Sequence, residues 1–118
     1  MKINMGNELI NIFDNWYNDD ELSDTYFYDQ LKKVIEKSNQ EEMFHYIDDC
    51  LSKMLETTIP LEVSILVHYA HSFYVKLDTT QVTPLLQKES MNIKNHILLY
   101  GDNRTLLFLE FMQNRLKI

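Results

Sequence analysis

Apolar residues recur every three or four positions along almost the whole chain, and that spacing predicts helices. A first helix is predicted over 4–18, with Leu9, Ile12, Phe13, Trp16 and Tyr17 on one face. Asn18, Asp19 and Asp20 break it. A second is predicted over 24–37, with Phe27, Leu31, Val34 and Ile35 as its stripe, Ser23 as N-cap and Asp24 in the first turn. Tyr26 falls roughly 100° off that stripe. The pattern therefore points it at solvent or at a partner.

The third segment, 39–56, is the most clearly two-faced. Met43, Ile47, Cys50, Leu51 and Met54 fall on its apolar side. Glu42, His45, Asp48, Asp49, Ser52 and Glu56 fall on the other. Ser38 and Glu41 have the spacing of a capping box. The fourth, 60–77, starts at Pro60 and is apolar over a broad arc from Val63 to Leu77, which predicts a central place. The fifth, 84–100, opens on Thr83 and Pro84 and ends before Gly101, read as a left-handed C′ residue. Ile93, Ile97 and Tyr100 share its inner side, whereas Met91 and Leu98 lie elsewhere. The sixth, 104–116, is capped by Asp102 or Asn103 and is apolar around more than half its circumference. Residues 105–109 also fit a buried strand, and the capping signals decide for helix.

The expected fold is therefore all-α: a compact single-domain bundle of five to six antiparallel helices over residues 1–118, with the fourth in the middle. Composition agrees. The chain has only two Gly and two Pro in 118 residues, too few for many tight turns. Cys50 is the only cysteine, so no internal disulfide forms, which suits a reducing compartment. The N-terminal residues do not read as a signal peptide, and no stretch approaches the roughly 18 apolar residues of a membrane span. The expected location is cytoplasmic.

Charge changes the picture most. The formal net charge is −7, and it arises in the first quarter of the chain. Residues 3–31 hold seven acids (Glu8, Asp14, Asp19, Asp20, Glu21, Asp24 and Asp29) and no Lys or Arg. Elsewhere eleven acids meet eleven bases. The same stretch carries Phe13, Trp16, Tyr17, Tyr26, Phe27 and Tyr28. An acidic, Tyr-bearing surface repels nucleic acid and anionic membranes and attracts a basic protein. Tyr gives large contact area at small entropic cost. The expected partner-binding residues are Asp14, Tyr17, Asp19, Asp20, Glu21, Asp24, Tyr26, Tyr28 and Asp29. The competing explanation is a solvated surface over core-facing aromatics.

No reaction is encoded in a recognisable pattern. Glu42 and His45 have the Glu-x-x-His spacing of di-iron bundles, but that site needs two such motifs and two further Glu residues. His68 and His71 share one side of the fourth helix, and two imidazoles fall short of a zinc site. They read as solvated groups, or as the lining of a polar groove. Cys50 lies on an apolar stripe, as an inert core thiol does. With Gly6 and Gly101 as the only glycines, no phosphate-binding loop exists. The expectation is no enzyme, no cofactor and no metal. The apolar surplus at Met91, Leu98 and the sixth helix reads first as burial on several sides, and otherwise as a dimer contact or partner groove.

The functional expectation is a small acidic protein that binds and inhibits a basic protein partner. Its sharp form is an immunity protein or antitoxin covering the cationic cleft of a nuclease-type toxin. The alternative is a helical regulatory or adaptor module without a toxin, using the apolar surplus of the last two helices.

Overall fold

In a computed structural model, which describes residues 4–118, every predicted helix forms and no strand does among the described residues. The elements are α1 (Met5–Asn18), α2 (Tyr26–Lys37), α3 (Gln40–Glu56), α4 (Pro60–Leu77), α5 (Pro84–Tyr100) and α6 (Asn103–Leu116). Their starts follow local chemistry. Asn4 Oδ1 accepts from the Asn7 amide at 3.1 Å, Thr83 Oγ1 from Leu86, and Asp102 Oδ1 from Thr105 at 2.8 Å. Residues 105–109 are helical within α6.

Three local expectations are corrected. Ser23 does not cap α2, whose N-cap is Thr25, without a side-chain cap bond. Instead Ser23 folds a turn ahead of the helix: its carbonyl accepts from Tyr26 and its hydroxyl from the Thr25 amide. The capping box lies one residue on, between Asn39 and Glu42. Asn39 Oδ1 accepts from the Glu42 amide at 2.8 Å, and Glu42 Oε1 from the Asn39 amide at 3.0 Å. Ser38 cannot serve there because it ends α2. Its amide is bound to the Ile35 carbonyl, and its hydroxyl donates to the Val34 carbonyl. Gly101 is not left-handed; its φ is −93°. Space is what demands glycine: a Cβ would meet the Ile97 carbonyl oxygen at 2.9 Å.

Packing centres on α3 against α4, and α4 also meets α2, α5 and α6. One continuous core draws side chains from all six helices. The shortest dimension is 20 Å, the thickness of two helix layers. Fully buried Cys50, Leu66, Val67, Tyr69 and Phe73 lie at the centre. Burial raises the Cys50 thiol far above its ordinary value, and the neighbouring Asp49 charge adds to this, so the thiol stays protonated and inert. Tyr69 and Tyr74, both buried, have their hydroxyls satisfied. Tyr69 donates to the Phe27 carbonyl at 2.6 Å, tying α2 to α4. Tyr74 donates to the Gln81 carbonyl and accepts from the Thr83 amide, stapling the α4–α5 loop.

Candidate protein-binding surface

α1 and α2 meet through rings. Trp16 lies against Tyr26 and Phe27, with centroids 5.9 and 4.8 Å away, and Phe13 against Phe27 at 5.6 Å. This cluster fixes the end of the bundle where the chain turns through residues 19–25. The acids are set there on its outside. Asp14, Asp19, Asp20, Glu21, Asp24 and Asp29 are all exposed. Their hydrogen bonds are local: Asp19 Oδ1 accepts from the Glu21 amide, and Asp29 Oδ2 from Thr25 Oγ1. Among the described residues none of them forms an ion pair; the pair seen joins Arg115 to Asp78.

The three candidate tyrosines fare differently. Tyr28 is 61% exposed on the first turn of α2. Tyr17 is half exposed and donates to Glu62 Oε2 at 2.7 Å, linking α1 to the first turn of α4. Partial desolvation, then the bond to Glu62 and its charge, pushes the Tyr17 phenol up to about 12. Tyr26 is a correction. It is only 7% exposed, and its hydroxyl donates to the Ile12 carbonyl at 2.7 Å. The apolar stripe of α2 marks only the side that meets the core. α1 covers the flank of α2 on which Tyr26 lies, so this residue is a core strut and not the outward-facing side chain its place off the stripe predicts. Nothing local in the sequence marks Glu62, since its role depends on a residue 45 positions away.

Other candidate chemistry dissolves in the packing. Among the described residues no group of three metal-ligating side chains converges. Glu42 is engaged in its capping box. His68 and His71 are half-buried and not solvated. Both pack on Phe108, at centroid distances of 5.1 and 4.9 Å, and His71 also on Phe111. Desolvation holds both imidazoles below their ordinary value. Arg104 adds to the effect on His68; His68 and Arg115 add to that on His71. Asp48, expected outward, is half-buried. Its Oδ2 accepts from the Leu85 amide at 3.1 Å at the start of α5, and its Oδ1 is buried without a partner among the described residues.

The core absorbs the apolar surplus only in part: on α6 Leu109, Met112 and Leu116 are buried, and Leu106 and Phe108 pack against the core. Met91 is 71% and Leu98 59% exposed, and Leu99, Leu107 and Phe111 are also exposed. A cleft of about 340 Å³ opens between α2 and α4, lined by Tyr28, Leu31, Ile35, His68 and Ser72 with Lys32, Glu36 and Lys76. His68 lines it, as the groove alternative for the imidazole pair allowed, but His71 does not, and the groove is mainly apolar; its two walls are far apart in the chain. No helix among the described residues is long and apolar enough to cross a membrane. No protein-family profile, curated protein or solved structure matches the chain.

Proposed function

We propose that this protein is a binding protein that inhibits a basic protein partner through the end of the bundle formed by α1, residues 19–25 and the first turn of α2. The sharp form is an immunity protein or antitoxin that covers the cationic cleft of a nuclease-type toxin, with no catalysis of its own. One observation carries this reading. Asp19, Asp20 and Glu21 crowd the C-terminal end of α1, whose last turn holds no basic residue. A helix C-terminus favours cations, and each misplaced charge there costs about 0.3–1 kcal/mol. Their charges therefore oppose the α1 dipole, most of all at the C-cap Asp19, and among the described residues no ion pair offsets them. A cationic partner would reverse that penalty and be steered by the same field.

The test is purification of the tagged full chain at low salt with identification of what copurifies by mass spectrometry. The partner should be basic and should elute as salt is raised. A copurifying partner that is neutral or acidic, or that withstands high salt, would overturn the reading. It would favour the second one, an adaptor using the exposed Met91, Leu98, Leu99, Leu107 and Phe111.

A further inference from the structure

The α2–α4 cleft is built differently from the acidic end. Its lining is mainly apolar: Leu31 is buried, Ile35 is half-buried and Tyr28 is exposed. From α4 it receives His68 and Ser72, and neither side chain has a hydrogen bond within the described residues. Ser72 is what leaves the space open, since a small residue stands where α4 faces Leu31 and Ile35. Desolvation, with Arg104 adding to it, lowers the His68 imidazole and so disfavours a charge on it in the cleft. Charge enters at the margin, where Lys32 from α2 and Lys76 from α4 line the same cavity. Glu36 is the single acid among the lining residues, which leaves one net positive charge.

We propose that this cleft binds a free anionic amphiphile: a carboxylate headgroup on a short aliphatic or arylaliphatic tail. The tail lies against Leu31, Ile35 and Tyr28. The carboxylate accepts from Lys32 and Lys76, with the Ser72 hydroxyl and a His68 ring N–H as further donors lining the cleft. Size selects this occupant over a protein. About 340 Å³ is at the small end of ligand pockets, which run from about 300 to 1,000 Å³. A standard protein interface removes about 800 Å² from each partner and needs a broader surface than this cleft offers. A free molecule is favoured over an anionic bilayer because the −7 chain is repelled by the many charges of a bilayer far more than by one carboxylate.

The test is titration of the full chain with octanoate, followed by ¹H–¹⁵N correlation spectra. Saturable shifts are expected at Leu31, Ile35 and Ser72. Octanol should bind about tenfold more weakly, the loss expected for one charge-assisted hydrogen bond. The Lys32→Gln/Lys76→Gln pair should lose octanoate affinity by a similar factor with Tm unchanged. Ser72→Leu should fill the cleft and abolish the shifts; if its packing disturbs the fold, the exposed lysine pair still decides the question. Equal affinity for octanol, undiminished affinity in the lysine variant, or shifts confined to another surface would overturn the proposal. So would binding to phosphatidylglycerol vesicles without binding to free octanoate. Cleft shifts that follow protein concentration in the absence of octanoate would assign the cleft to a second copy instead.

Discussion

Single side chains decide how the acidic end is built. Tyr26 shows how a residue that looks like an interface anchor in the sequence becomes a strut: α1 covers it and the Ile12 carbonyl takes its hydroxyl. Tyr26→Phe should cost about 1 kcal/mol in urea denaturation, the net worth of a buried hydrogen bond. Tyr26→Ala should cost about 3–5 kcal/mol through the cavity it opens beside Trp16 and Phe27. His68 and His71 make a second residue-scale prediction. Both are held below the ordinary imidazole value in the folded state, chiefly by desolvation. The unfolded chain therefore takes up more protons as pH falls past about 6.5. Stability is full above that pH and declines as pH drops through the lower folded values. Replacing both with Gln should flatten the stability profile between about pH 7 and 5, measured by denaturant midpoints at each pH.

At the scale of elements, the helices are delimited by cap chemistry and by one tight approach. Asn39→Ala and Asp102→Ala should each lower stability by about 1 kcal/mol, read from Tm. Asp102 adds an acid dependence. Its bonds from the Thr105 amide and hydroxyl hold its carboxyl below the usual range. That contribution is present above the unfolded value near 3.9 and is lost as pH falls through the lower folded value. Gly101→Ala should destabilise by about 1–3 kcal/mol, because the new Cβ meets a backbone oxygen that cannot swing aside. The cap of α3 illustrates the reach of sequence reading. A Ser and an Asn stand side by side before the helix, each followed by a glutamate at capping-box spacing. Only the bonds of Ser38 back to α2 show which of the two opens α3.

For the whole molecule, the charge asymmetry is the property with functional consequence. Changing Asp19, Asp20, Glu21 and Asp24 to their amides should leave Tm unchanged or slightly raised, since three of the four oppose the α1 dipole. Association with the copurifying basic partner should slow about tenfold at low salt and much less at high salt, with a smaller change in dissociation. Surface plasmon resonance at two ionic strengths measures both rates. Equal association rates for wild type and variant at low salt would defeat charge steering.

The sequence by itself determined the helices, since apolar spacing, Pro60, Thr83-Pro84 and Asp102 act within a few residues of one another. It also determined the charge, because carboxylates in the 19–25 connection reach solvent in almost any helical packing. Only the tertiary structure decided what depends on two helices at once. The burial of Tyr26 under α1, the pairing of Tyr17 with Glu62, the half-burial of Asp48 at the start of α5 and the cleft between α2 and α4 are of this kind. So is the exposure of Met91 and Leu98, whose place on α5 leaves open whether a neighbour covers them. A helical period states which residues share a face. Which neighbour that face meets is set by how all six helices divide the limited space of two layers.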